Sequence, residues 1–245
     1  MRTARDQAGQ SDLLMPLIRA IVSGDEPQAV SLLTASPFLA TQAISQGATR
    51  QRATDFFFRE IMHYLYAGDT PLHAAAAGYQ KGIARELVRL KADIAARNRR
   101  GAEPIHYACD GGPTSHTWNP RAQAQMVTFL IESGASPNSL DKSGVGPLHR
   151  AVRQRCTSAV EALLRCGADV GLKNKSGSTP LHLAVQNTGR GGSGAMESKA
   201  CQEEILKLLL AAGGDLKARN AAGKSVIESV QSDWIYAVVN SSPIV

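Results

Sequence analysis

The sequence predicts an all-α fold in which pairs of short helices repeat along the chain, and two observations support this prediction. The phrase Thr-Pro-Leu-His, or a close variant of it, occurs at residues 70–73, 103–106, 146–149 and 179–182, and its histidines are 33, 43 and 33 residues apart. Apolar side chains follow each phrase at the 3.6-residue period of a helix. A fixed period of this length is typical of repeat proteins, which grow by stacking neighbouring units rather than by enlarging one core.

The segment from His149 to Asp169 shows the predicted unit most clearly. A short apolar helix follows the histidine, and a second helix places Val160, Leu163 and Leu164 on one face. Gly167 follows this second helix, where a helix end commonly needs a left-handed residue. The same frame fits the other three phrases, so we expect four similar helix pairs.

Weaker versions of the unit precede and follow these four, which gives about six repeats within a single domain covering residues 1–245. Terminal repeats are expected to be atypical because they cap the exposed core. The predicted segments are a disordered tail at 1–12, an N-terminal capping repeat at 13–40, an insertion at 41–67, four clear repeats at 68–222 and a truncated C-terminal cap at 223–240.

The phrase and its period resemble the ankyrin repeat, and the resemblance covers residues 13–240. It departs from the family pattern at Glu103 and Gly146, which replace threonine, and at Glu228, which replaces histidine. We expect these departures to remove a capping hydrogen bond locally. The resemblance implies a solenoid of antiparallel helix pairs joined by protruding β-hairpin loops, with structural histidines and with partners bound by hairpin tips and inner helices.

In that frame, three consecutive hairpin tips have a cation at the first variable position. If neighbouring repeats lie roughly 8–10 Å apart, the cations form a row that suits an acidic or phosphorylated protein segment or a nucleic-acid backbone. The alternative is that the cations only keep exposed loops solvated and separate. The tip positions are Tyr66, Arg99, Lys142, Lys175 and Ala221, with Arg97, Arg100 and Lys173 nearby.

The predicted inner helices add Tyr107, Arg150 and Arg153 to the candidate surface. The two arginines would extend the basic row in the middle of the array. They could equally pair with acidic side chains of the same protein.

Three insertions distinguish this chain from a regular array. The first is rich in aromatic residues, and residues 56–66 are predicted to form an amphipathic helix that is either a lid on the N-terminal repeats or an aromatic surface for a partner. The second, at 111–120, contains Trp118 as a loop anchor or a binding residue. The third, at 187–199, is glycine-rich and predicted to be flexible.

Nothing in the sequence indicates catalysis, a cofactor or a metal site. The four cysteines form no Cys-x-x-Cys pair, and His63 and His116 lack neighbours at ligand spacing. We also expect no membrane contact and a cytoplasmic location, because neither a signal peptide nor a long apolar run is present.

The predicted function is therefore a non-enzymatic scaffold that binds an acidic or phosphorylated protein. Nucleic-acid binding is the alternative, since the net charge is +6. The oligomeric state is left open. The predicted partner-binding residues are Tyr66, Arg99, Arg100, Tyr107, Trp118, Lys142, Arg150, Arg153 and Lys175.

Overall fold

A computed structural model describes residues 4–113, 115–187 and 196–241, and it confirms the all-α prediction. The chain divides into two compact units. The first comprises Met1–Ala108 with Phe129–Ala135, and the second comprises Cys109–Thr128 with Ser136–Val245. Because each repeat contacts only its neighbours, a repeat array has no single core that would hold it as one unit.

The first unit contains five helices and residues 129–132 of a sixth within the described residues. The helices α1 and α3 pack against each other, as do α3 and α5, while α2 packs on α4 behind them. This arrangement gives an inner and an outer row of helices. The bounds are α1 Ala4–Ser23, α2 Glu26–Ala35, α3 Pro71–Ala77, α4 Lys81–Arg89 and α5 Pro104–Ala108, with α6 at Pro120–Glu132.

The second unit repeats the same two-row pattern. Helix α7 packs on α9, α8 packs on α10, and α10 also contacts the last helix, α11. The bounds are α7 Pro147–Gln154, α8 Thr157–Arg165, α9 Pro180–Ala184, α10 Met196–Ala211 and α11 Asp233–Ser241. The predicted face of the second helix is correct in α8, where Val160 and Leu163 are fully buried.

Three of the phrase histidines, at 73, 149 and 182, hold their helix pair to the loop that follows it. In His73 the ring nitrogen Nδ1 accepts the backbone N–H of Thr70 at 3.1 Å, and Nε2 lies 3.1 Å from the carbonyl oxygen of Ala102. His149 makes the same two contacts, with Gly146 and with the carbonyl of Ser178. Each ring therefore caps the start of its own helix and also holds a distant loop, as the resemblance implied.

The variant phrases keep only part of the capping seen at threonine. The hydroxyl of Thr179 accepts a backbone N–H of its own helix at 3.4 Å, and Gly146 has no side chain that could do so. The backbone N–H groups of Glu103 and Gly146 still donate to the histidine three residues later, at 3.1 and 3.3 Å. Glu228 replaces the imidazole directly, because its carboxylate accepts both the backbone N–H and the hydroxyl of Ser225, at 2.7 and 2.8 Å. These hydrogen bonds lower the pKa of Glu228, so a charged carboxylate performs the capping role.

The prediction of an aromatic helix in the first insertion is wrong. A 3₁₀ turn at Pro37–Thr41 leads into the segment. The segment itself contains a second 3₁₀ turn at Thr54–Phe56 and then an antiparallel hairpin of β1 (Phe57–Phe58) and β2 (His63–Tyr64). The apolar spacing was compatible with a helix, but phenylalanine and tyrosine favour extended strands when they pair across a hairpin. The rings of Phe57 and Tyr64 lie 4.7 Å apart across the two strands.

The start of the chain differs from expectation. Helix α1 begins at Ala4 instead of following a disordered tail, because a helix can be extended by alanine and glutamine without an apolar face. The second insertion contains neither helix nor strand between α5 and α6 in its described residues. In the third insertion, residues 188–195 lie outside the described residues, and α10 includes the remainder from Met196.

The buried histidines predict a loss of stability in mild acid. Burial lowers the pKa of His149 below its ordinary value of about 6.5, and it does the same for His182. Both rings are neutral in the folded and unfolded chain above that value. As the pH falls below it, the unfolded chain takes up protons that the folded chain resists, so the free energy of unfolding decreases.

Urea unfolding followed by circular dichroism should give a lower midpoint at pH 5.5 than at pH 7.5. The variant His149→Gln offers an oxygen acceptor and an N–H donor that does not titrate, so its midpoint should change less between these pH values. An equal change in the variant would contradict the assignment to His149.

Candidate functional site

Four loops that precede the inner helices share one hydrogen-bonding pattern. In the first, the side-chain oxygen of Asn98 accepts the backbone N–H groups of Arg100 and Ala102, at 2.8 and 3.1 Å. The same pattern begins at Asp141, Asn174 and Asn220. These are tight turns closed by a side chain, and a backbone bond also crosses each of them, as from the N–H of Asn98 to the carbonyl of Ala102 at 3.1 Å. The described residues of the four loops contain one isolated bridge, between Arg219 and Ser225.

This pattern fixes the exposed position that follows each Asn or Asp. A glycine three residues after it adopts a positive φ, as at Gly177 with φ of 69°, where an added Cβ would approach the backbone nitrogen of Ala221 within 2.5 Å. The repeated Asn/Asp-x-x-Gly spacing could have been found in the sequence. The side chains it presents are exposed in all four loops: Arg99, Lys142, Lys175 and Ala221.

In the first unit, the structure brings together three predicted site residues. Arg99 and Arg100 are exposed, and their guanidinium carbons lie 5.3 and 4.9 Å from the centre of the Tyr66 ring. Arg100 also donates to the Tyr66 hydroxyl at 2.9 Å, and Arg99 donates to the backbone carbonyl of Ala48. Nearby, Arg97 forms an ion pair with Glu103 at 2.7 Å.

In the second unit, successive loops are joined through their backbones. The N–H of Lys175 donates to the carbonyl of Ser143 at 3.1 Å, which places the loop containing Lys142 beside the loop containing Lys175. Both lysine side chains are exposed. Lys173 instead donates to the carbonyl of Arg219 at 3.0 Å.

Tyr107 is a core residue, so its placement on the binding surface was wrong. It is 1% exposed, and its hydroxyl donates to a carboxylate oxygen of Asp69 at 2.7 Å. The other oxygen of Asp69 accepts the side-chain amide of Asn98 at 2.8 Å, and the ring of His63 lies 4.3 Å from the Tyr107 ring. A buried carboxylate such as that of Asp69 requires these donors. Tyr107 therefore stabilises the core at Asp69, and its contact with His63 links the first insertion to the repeat.

Arg150 and Arg153 have different environments in spite of their proximity. Arg150 is half-buried and donates to Asp110 at 2.8 Å and to Asp141 at 3.4 Å, so it forms the internal ion pairs that the sequence left as an alternative. Arg153 is exposed on the same helix, one turn further along. The arginine that remains available to a partner is therefore Arg153.

Trp118 anchors the second insertion. It is half-buried, and its indole N–H donates to the side-chain oxygen of Gln123 at 2.8 Å. Gln123 in turn donates to the carbonyl of Asp110 at 3.1 Å, so the beginning and the end of the insertion are tied together. Gln202 has the same role after the third insertion, donating to the carbonyls of Ala184 and Gln186. Neither glutamine belongs to a repeated pattern that would mark it in the sequence.

The described residues form no metal centre, and two of the cysteines are buried. They contain no cluster of three or more histidine, cysteine or acidic side chains that could hold a metal ion. Burial raises the pKa of Cys156 to about 12 and that of Cys109 well above its ordinary value, so both thiols stay protonated and weakly nucleophilic at neutral pH. Across 4–113, 115–187 and 196–241, no helix is long and apolar enough to cross a membrane.

The contrast between the two arginines of α7 can be tested by stability measurements. Arg150→Gln leaves two partly buried carboxylates without their cation and should lower the free energy of unfolding by about 2–3 kcal/mol. Arg153→Gln, on the same helix, should change it by less than about 0.5 kcal/mol. Urea unfolding of both variants measures this difference, and similar values for the two would contradict the assignment of Arg150 to the internal network.

Comparison with known proteins agrees with the geometry. The family described as ankyrin repeats (3 copies) matches residues 121–220, and the single ankyrin repeat matches residues 67–99. The chain is 33% identical to the mouse B-cell lymphoma 3 protein homolog over 182 residues, which is 71% of this chain and 34% of that protein.

Two other matches are shorter. Mouse ankyrin repeat and SOCS box protein 16 is 38% identical over 98 residues, which is 39% of this chain and 20% of that protein. Chicken NF-kappa-B inhibitor alpha is 37% identical over 71 residues, or 29% of this chain and 22% of that protein. The chain thus spans about a third or less of these relatives. The matches, the repeat period and the helix pairs together show that the chain belongs to the ankyrin-repeat family.

Proposed function

We propose that this chain is a non-enzymatic module that binds an acidic segment of a protein partner through the exposed residues of its loops. Ankyrin repeats generally mediate protein–protein interaction, and the relatives described above include protein-binding regulators. The proposal extends that general role to this chain. Its particular support is the presence of a cation at the same exposed position of successive loops, at Arg99, Lys142 and Lys175.

The mechanism relies on a surface that is already formed before the partner binds. Within each unit the loops are closed by side-chain hydrogen bonds, from Asn98 in the first and from Asp141 and Asn174 in the second, so the fold fixes the backbone of each cationic residue that follows. A preformed surface loses less conformational entropy on binding than a flexible one. Surface charge of one sign also accelerates encounter with an acidic partner.

The set of residues proposed for contact is smaller than the set that the sequence predicted. Tyr107, Trp118 and Arg150 support the fold through their own hydrogen bonds and are not included. The proposed contacts are Tyr66, Arg99 and Arg100 in the first unit, and Lys142, Arg153 and Lys175 in the second.

Charge reversal in the second unit tests the proposal. The double variant Lys142→Glu/Lys175→Glu should lose the proteins that the wild-type chain captures from a native lysate, because each substitution places a repulsive charge at an exposed tip. Its thermal melting point should be unchanged, since both side chains are exposed. Quantitative mass spectrometry of the captured proteins supplies the measurement.

The matched control is Arg165→Glu/Lys217→Glu, which makes the same change in net charge at two exposed positions outside the tips. The control should retain the captured proteins. Retention by the tip variant as well would show that these lysines do not form the binding site.

A further inference from the structure

The first insertion and the loop that contains Arg99 together form one exposed surface of the first unit. We define this arginine–tyrosine surface by Arg52, Tyr66, Arg99 and Arg100, with Phe56 beside it. Arg99 connects the two segments, because its backbone N–H donates to the carbonyl of Ala67 at 2.8 Å and its guanidinium donates to the carbonyl of Ala48. Neither segment alone would bring these side chains together.

The cations of these segments are all arginine. Residues 46–66 and 97–103 contain six arginines and no lysine, against three acidic residues, so their net charge is 6 − 3 = +3. Two of the acidic side chains are already paired, Asp55 with Arg52 at 2.9 Å and the buried Glu103 with Arg97 at 2.7 Å. The tips of the second unit carry lysine instead, at 142 and 175. A guanidinium differs from an ammonium because its planar fork matches both oxygens of a carboxylate.

The arginines are held in place before any ligand binds. The guanidinium carbon of Arg52 lies 5.7 Å from the centre of the Phe56 ring, and those of Arg99 and Arg100 lie within 5.3 Å of the Tyr66 ring centre. Contacts of this kind restrain long side chains by cation–π attraction. Less side-chain entropy is then lost when a carboxylate binds.

The cations over the rings of Phe56 and Tyr66 also indicate which class of ligand fits this surface. Proteins that bind single-stranded nucleic acid stack bases on exposed aromatic faces. On this surface, guanidinium groups already cover the rings of Phe56 and Tyr66, so the rings support cations rather than bases. Carboxylate recognition uses the guanidinium edges and leaves the rings where they are.

We propose that the arginine–tyrosine surface binds an acidic peptide segment of a partner protein, with Arg99 and Arg100 as bidentate donors to its carboxylates. This proposal rests on the proposed function and specifies the ligand chemistry for the first unit. It requires guanidinium groups in particular, whereas a general basic surface would require only positive charge.

The test is fluorescence anisotropy of a fluorescein-labelled decaglutamate peptide titrated with the full chain at fixed salt concentration. Arg99→Gln/Arg100→Gln should weaken binding by about tenfold or more, because two charge-assisted interactions are lost. Arg99→Lys/Arg100→Lys keeps the charge and should still weaken binding by about threefold or more. The control Arg85→Gln/Arg165→Gln removes the same two charges at exposed helix positions and should bind like the wild type.

Circular dichroism of each variant shows whether it folds. If the double variant is unstable, the single variant Arg100→Gln, which alters the contact with Tyr66, replaces it and should weaken binding by about threefold. Three results would overturn the proposal: no binding of decaglutamate by the wild type, equal weakening in the control, or full affinity in the lysine variant. Tighter binding of a twenty-nucleotide oligothymidine that depends on the same arginines would also overturn it in favour of nucleic acid. The capture experiment with Lys142 and Lys175 uses the second unit, so the two proposals can fail separately.

Discussion

The two hydrogen bonds of the phrase histidines are the interaction on which the rest of the structure depends. One ring nitrogen accepts an N–H at the start of an inner helix, and the other bonds a loop carbonyl 29 residues away at His73 and at His149, and 42 residues away at His182. Because Nδ1 accepts an N–H, the single proton of the neutral ring must be on Nε2, where it can be donated to the carbonyl. The interaction therefore depends on a neutral imidazole in one tautomer.

These hydrogen bonds divide the residues of each loop into those that form the repeat structure and those whose side chains can vary. The histidine fixes the loop, and the Asn or Asp side chain closes it, so the next residue is exposed whatever its chemistry. In this chain that residue is Arg99, Lys142, Lys175 or Ala221. At Lys175 and Ala221 the side chain can change at little cost in stability, because exposed substitutions away from such hydrogen bonds usually change the free energy of unfolding by less than about 0.5 kcal/mol. Arg99 is an exception, because its guanidinium also donates to the carbonyl of Ala48.

The regular part of the fold could be predicted because it repeats in the sequence. The helix pairs, the left-handed Gly167 and the insertions followed from the period. The first insertion could not be assigned in this way, since it occurs once and its apolar spacing suits either a helix or a short hairpin. The rings of Phe57 and Tyr64 stabilise the hairpin by contact across the two strands. The spacing of apolar residues does not reveal this contact.

The candidate site was predicted less well than the repeat architecture, because some of its side chains pair with partners that are distant in sequence. Tyr107 was assigned to the surface, but its partner Asp69 lies 38 residues away in sequence. Arg150 was assigned in the same way, and its partner Asp110 is 40 residues away. A position on an inner helix does not reveal whether such a partner exists. The tips were easier to assign because their exposure follows from local loop chemistry.

Nuclear magnetic resonance of the imidazole nitrogens can show directly whether the phrase histidines are neutral rings bonded to both a helix start and a distant loop. Long-range proton–nitrogen correlation spectra should show His149 with an unprotonated Nδ1 and a protonated Nε2 at pH 7. Because burial lowers its pKa, His149 should keep this neutral tautomer to a lower pH than an ordinary histidine does. A proton on Nδ1 at pH 7, or titration of His149 near pH 6.5, would contradict the account.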